Sequence, residues 1–159
     1  MSNKEITIYT DGAASGNPGP GGFGVVLISG PHRKELSRGY KKTTNNRMEL
    51  LAVIVGLEEL RFENSKVTIY SDSKYVVDAV EKGWLFNWEK TRFKKKKNPD
   101  LWLRFLKQYR KHRVKFIWIK GHAANKENEL CDKLAVKASQ GTDLLIDEGY
   151  EKNDFLFEN

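Results

Sequence analysis

The 159-residue chain has a single cysteine, Cys131, so it can close no internal disulfide, and a reducing compartment, the cytoplasm, is its natural setting. Its three histidines, His32, His112 and His122, are scattered, and neither H-E-x-x-H nor C-x-x-C spacing occurs, which argues against zinc. No window approaches the roughly 18 apolar residues of a membrane span, and the opening MSNKEITIYT has no apolar run behind a basic stretch, so a soluble protein is expected. Gly-Lys-Ser/Thr is absent, which rules out a P-loop, and without H-R-D and D-F-G there is no kinase catalytic core. Repeats of solenoid length are also missing.

What is present begins with charge. The formal net of +7 is uneven: residues 139–159 carry six acids against Lys152, a net of −5, which leaves +12 on residues 1–138. A body this basic concentrates polyanions around it and points to nucleic acid. The length and the 39% hydrophobic content fit one compact domain, here residues 1–140, with residues 141–159 as an acidic C-terminal tail that is flexible, packed on the domain, or laid on its basic surface.

EITIYT (5–10) and FGVVLI (23–28) alternate and are rich in β-branched residues, and ELSRGYKK (35–42) is a weaker third strand, an antiparallel meander. NNRMELLAVIVGLEELRF (45–62) is apolar nearly all round and reads as a helix covering a sheet face. A strand over 66–71, helices over 73–83 and 99–112, a strand over 114–120 and a helix over 126–139 complete the series. Three strands followed by alternating helices and strands imply an α/β fold, a mixed sheet flanked by helices.

One short self-similarity carries a site hypothesis. TIYTD (7–11) recurs as TIYSD (68–72), each aspartate falling at a strand's carboxyl end with the parity of the tyrosine two residues before it. If these strands are parallel neighbours, Asp11 and Asp72 emerge together, where ligands bind in open α/β sheets. The stretch DGAASGNPGPGGFG behind Asp11 matches G-x-G-x-x-G, but a β-branched strand follows it instead of a helix, so it reads as a hairpin turn whose bare backbone can approach a ligand.

Asn46 followed by Glu49 is a capping-box pattern. Helical stepping also sets Glu49 on the stripe of Val53, Gly56 and Leu60, where a carboxylate facing the protein needs a partner. Asp132 lies early in the last helix and fits either this acidic set or a solvated face. Carboxylates gathered at close range must take up protons or cations, and oxygen-only ligands suit Mg²⁺ or Mn²⁺. Pairs of such ions about 3.5–4 Å apart serve phosphodiester cleavage. His122, in the loop KGHAANKEN, is either a mobile proton shuttle or an exposed residue without a role, while Cys131 falls on an apolar stripe and packs in the core. Between residues 83 and 102, Trp84, Phe86, Trp88, Phe93 and Trp102 alternate with Lys90, Arg92 and the run Lys94, Lys95, Lys96 and Lys97, a polyanion-binding composition, with Trp102 read as core.

The motifs YTDGAASGNPGPGGFG, TTNNRMEL, SDSKYV and GHAANKENELCDKLA together resemble those of type 1 ribonucleases H of the short bacterial kind, over about residues 4–138. The resemblance implies the ribonuclease H-like fold, a five-stranded mixed sheet flanked by helices. It implies endonucleolytic hydrolysis of the RNA strand of an RNA–DNA hybrid by two Mg²⁺ ions, for which Mn²⁺ can substitute, leaving 3′-hydroxyl and 5′-phosphate ends. It assigns Asp11, Glu49, Asp72 and Asp132 to the ions, and His122 to product release or proton transfer. Asn17, Asn45 and Lys74 match positions that read ribose 2′-hydroxyls, Lys74 standing where many relatives carry glutamine. Thr44 matches a DNA-phosphate contact, Trp84 and Trp88 match the DNA-strand channel, and the lysine run matches a basic protrusion. A monomer is expected. A non-catalytic hybrid-binding module and a DNA-processing relative on the same fold are the alternatives.

Overall fold

The computed structural model describes residues 5–120 and 125–157. Three antiparallel strands come first: β1 (Glu5–Ala14), β2 (Gly19–Ser29) and β3 (His32–Thr43). There follow α1 (Asn45–Glu58), β4 (Lys66–Ser71), α2 (Lys74–Glu81), α3 (Trp84–Lys90), α4 (Pro99–Tyr109), β5 (Arg113–Trp118), α5 (Lys126–Ser139) and α6 (Glu148–Phe157). The sheet order is β3-β2-β1-β4-β5, with β4 parallel to β1 and β5 parallel to β4, the five-stranded mixed sheet expected. No helix among the described residues is long and apolar enough to cross a membrane.

Helix α1 packs on β1 and β2 on one face of the sheet and is backed by α4, so it is buried from Arg47 to Leu57 except at Glu49. That double coverage explains its all-round apolar sequence. Helix α5 covers the other face over β1, β2 and β3. The core is continuous from Ile8, Val25 and Ile69 in the sheet through Met48, Ile54 and Leu57 to Trp102 and Phe105, and Cys131 is fully buried.

One expectation is corrected, and two open readings are decided. The glycine tract is mostly strand, since β1 runs on to Ala14 and β2 begins at Gly19, leaving only residues 15–18 as the turn. A Cβ on Gly22 would sit 2.5 Å from the Ala135 carbonyl oxygen, and one on Gly24 2.3 Å from that of Cys131. These glycines therefore admit α5 to the sheet, rather than a ligand to the backbone. The cap of α1 is Thr44, whose hydroxyl accepts from the Arg47 N–H at 3.2 Å, so the capping-box pattern at Asn46 is not used, and Glu49 faces the protein. Of the three dispositions open for the tail, packing on the domain is the one found at Leu145: its N–H donates to the Gly39 carbonyl at 2.9 Å, and Lys41 N–H donates to that of Leu145 at 2.8 Å. Beyond them Asp147 is buried against Arg47.

Candidate active site

The repeated pentapeptides lie in register. Thr7, Ile8 and Tyr9 of β1 face Thr68, Ile69 and Tyr70 of β4, and the two tyrosine rings stack at 4.8 Å. Asp11 and Asp72 follow two residues further, just past the last residues paired between β1 and β4; Asp72 lies beyond the end of β4, whereas Asp11, expected at a strand end, sits within β1, which runs on to Ala14 in its pairing with β2. Glu49 reaches them from α1 because Gly12 has no side chain: a Cβ there would lie 2.4 Å from the Met48 carbonyl carbon and 2.5 Å from the Glu49 nitrogen. One carboxylate oxygen from each of Asp11, Glu49 and Asp72 falls within 4.8 Å of the others. Asp132 approaches Asp11 from the opposite layer, on α5, close enough to act on its ionisation. Both helices thus come down onto glycines to deliver an acid each.

The electrostatics are those of a site short of positive charge. Burial, then the charges of Asp72 and Asp132, push the Asp11 carboxyl up to about 8. Burial, then the charges of Asp11 and Asp72, hold Glu49 well above the usual carboxylate range. Two unit charges 4.8 Å apart repel by about 3 kcal/mol at an effective dielectric near 20. Oε1 of Glu49 and Oδ1 of Asp72 are enclosed and accept no hydrogen bond, an expensive condition unless a cation shares them. All the donors are hard oxygens, so the chemistry fits a divalent ion of the Mg²⁺ or Mn²⁺ type. Cys131 next to Asp132 is inert: its thiol is raised by burial and then by Asp11, and it donates to the Tyr9 carbonyl at 3.3 Å.

Around this cluster, Asn17 and Asn45 interlock. Asn45 N–H donates to Asn17 Oδ1 at 2.9 Å, and Asn45 Oδ1 accepts from Ala14 N–H at 2.6 Å, which ties the hairpin turn to the start of α1 beside Thr44. Lys74 is exposed at the first position of α2. Trp84 is exposed under the Lys82 ammonium, whereas Trp88 is half-buried edge-on to Trp102, with Lys96 Nζ 5.0 Å from its ring centre. Lys94, Lys95 and Lys97 are exposed, while Phe93 and Trp102 are core. His122 lies outside the described residues.

Two residues escaped the sequence. Arg47 is buried at 2% exposure, and its guanidinium donates to both oxygens of Asp100, both oxygens of Asp147 and Oδ1 of Asn98. It joins the α1 start, the α4 start and the tail; a lone arginine amid an apolar helix was the available signal. Trp118, at the end of β5, has the parity of buried Phe116, yet its indole is 39% exposed, so strand parity gave no sign of it.

Residues 3–140 match the RNase H family model. The chain is 60% identical over 152 residues to a ribonuclease H of Trichodesmium erythraeum (strain IMS101), a match covering 92% of this chain and 96% of that protein. Among solved structures it resembles LC9-RNase H1, a type 1 RNase H with the type 2 active-site motif, at a TM-score of 0.79 and 29% identity, covering 96% of this chain and 81% of that one. It also resembles LC11-RNase H1 in complex with an RNA/DNA hybrid, at a TM-score of 0.64 and 30% identity, covering 84% and 95%. A five-stranded sheet of this order, the acids brought together on its adjacent strands and these likenesses agree, and the chain belongs to the RNase H family of nucleases.

Proposed function

We propose that the chain cleaves the RNA strand of RNA–DNA hybrids endonucleolytically, with Asp11, Glu49, Asp72 and Asp132 holding two Mg²⁺ ions, for which Mn²⁺ can substitute. The observation that carries this reading is the acidic cluster itself: carboxylate oxygens within 4.8 Å, two of them enclosed without a partner, on a body of net charge +12. When bound, a pair of ions supplies water activation on one side of the scissile phosphate and charge neutralisation at the leaving oxygen on the other, giving 3′-hydroxyl and 5′-phosphate ends.

The chain's own residues do the rest. Asp11 and Asp72, fixed by two parallel strands, give the site its rigid floor, and Glu49 and Asp132 close it from the two helical layers. Asn17 and Asn45, locked to each other across the turn, present amide groups to ribose 2′-hydroxyls, the groups that distinguish RNA from DNA. Thr44, Trp84, Trp88 and the run Lys94–Lys97 grip the DNA strand and the backbone. His122 serves proton transfer or product release. Every residue in this scheme comes from one chain, so a monomer suffices.

The test is cleavage by the purified protein over a Mg²⁺ titration, with hybrid, RNA duplex and DNA duplex side by side. Metal-dependent cutting of the hybrid alone supports the reading. Hybrid binding without cutting would replace it with a binding module, and cutting of duplex DNA with a DNA-processing enzyme.

A further inference from the structure

Trp118 and Lys74 form a contact that neither core packing nor helix stability explains. The indole stands at the end of β5, large and 39% exposed. Its Nε1–H donates to the Asp72 carbonyl at 3.2 Å, fixing the turn that leads from β4 into α2. Its ring lies under the Lys74 ammonium, with Nζ 4.4 Å from the ring centre.

Lys74 occupies the first position of α2, the positive end of the helix dipole, where a cation is electrostatically disfavoured. It makes no ion pair among the described residues. A lysine in that position gains nothing from its own helix, yet an exposed tryptophan fixes where its ammonium sits. A ring of this kind attracts the ammonium without using any of its three N–H donors, which stay free for a ligand's oxygens.

We propose that Trp118 is a positioning residue for the substrate: it holds the Lys74 ammonium beside the acidic cluster, in place to donate to an oxygen of the RNA strand, a ribose hydroxyl or a phosphate. This rests on the hybrid-cleaving reading above.

The contact is tested first in the free protein by NMR. The Lys74 Cε protons should be shifted upfield by the indole ring current, and the shift should vanish in Trp118→Leu. Steady-state kinetics on a hybrid then test the role. Trp118→Leu should raise KM about three- to tenfold with kcat within about twofold of the parent, the range expected for loss of a cation–π contact that orders a binding group. Lys74→Met should match it, and the double variant should be no worse than Lys74→Met alone. Trp118→Phe, which keeps a ring face, should restore KM to near the parent value. In Lys74→Met a salt dependence of KM weaker by about one counterion identifies a phosphate as the acceptor, and an unchanged dependence identifies a ribose hydroxyl; either supports the proposal. Absence of the upfield shift in the parent overturns it, as do additive effects of the two substitutions. Should Trp118→Leu fail to fold, Trp118→Phe and Lys74→Met carry the comparison, and a Phe variant as impaired as Lys74→Met refutes it. A normal upfield shift with no hybrid cleavage by the parent would instead sink the function on which the proposal rests.

Discussion

Replacing Arg47 by methionine should destabilise the protein far more than replacing a surface arginine that holds a carboxylate by two hydrogen bonds. Arg47 is 2% exposed and donates to Asp147 at 2.8 and 2.9 Å, to Asp100 at 2.7 and 2.9 Å, and to Asn98 at 3.2 Å. Burial works against its charge, but the bonds to Asp100 and Asp147 outweigh that and leave the guanidinium more basic than usual. In Arg47→Met, Asp147, with a side chain only 7% exposed, becomes a buried anion without its cation, whereas Asp100, at 33%, can turn to water. Breaking one partner of a buried pair costs about 3–5 kcal/mol, and the partial exposure of Asp100 favours the lower end. About 3 kcal/mol lowers the melting temperature of a chain this long by about 6–12 °C. Arg104 supplies the control: it donates to both oxygens of Glu58 at 2.6 and 2.7 Å, but with side-chain exposures of 43% and 30%. Its loss should cost under about 1 kcal/mol. Urea unfolding followed by tryptophan fluorescence measures both, and equal losses would refute the argument from burial. The pH dependence has a defined sign. Burial raises the Asp100 carboxyl, but Arg47 outweighs it and holds the group below its ordinary value. Its contribution is therefore full above the ordinary value of about 4 and disappears as pH falls through the lowered one, so the gap between parent and Arg47→Met should narrow in acid.

Three further outcomes follow from the acidic cluster and its supports. Asp72→Asn should abolish metal-dependent hybrid cleavage while raising the stability of the metal-free protein by about 1 kcal/mol, because one of the repelling charges is gone; chelated thermal melts beside the cleavage assay check both. With Asp11 raised to about 8 and Glu49 also raised, the folded state keeps protons that the unfolded chain has released between about pH 4 and pH 8. Metal-free stability should fall as pH rises through that window, by up to about 1.4 kcal/mol per unit for each proton held, and excess Mg²⁺ should flatten the profile; a flat profile under chelation would contradict it. Gly12→Ala puts a methyl group 2.4 Å from the Met48 carbonyl carbon, so α1 must lift away, costing more than about 2 kcal/mol and reducing kcat by displacing Glu49; unaltered kcat would show that the helix does not set this carboxylate.

Much of this molecule could be read from its residues because its elements signal locally. The TIYTD and TIYSD repeats gave strand, register and parity together, and the structure pairs them residue for residue. What stayed hidden was long-range. Glycine in a strand looks the same whether a ligand or a helix approaches it, and only the position of α5 shows which is the case at Gly22 and Gly24. Helix α3 was unread because seven residues rich in aromatics carry too little periodicity, and its cap, Gly83 at a φ of 78°, offers no side-chain signal. The disposition of the tail stayed open because its six acids stand among a similar number of apolar residues, and the partner of Asp147 lies 100 positions away.

The docking of Leu145 has a consequence for the chain in company. Strand β3 is an outer strand of the sheet, and an outer strand with free N–H and C=O groups is a template on which other molecules can polymerise. Leu145 occupies the two main-chain positions at Gly39 and Lys41, while the opposite end of the strand carries the charged, exposed Arg33, Lys34 and Glu35, Arg33 paired with Glu127 and Lys34 with Glu59. The protein thus covers part of this one margin, at Gly39 and Lys41, with its own C-terminal segment, and trimming that segment should favour aggregation before it alters the fold.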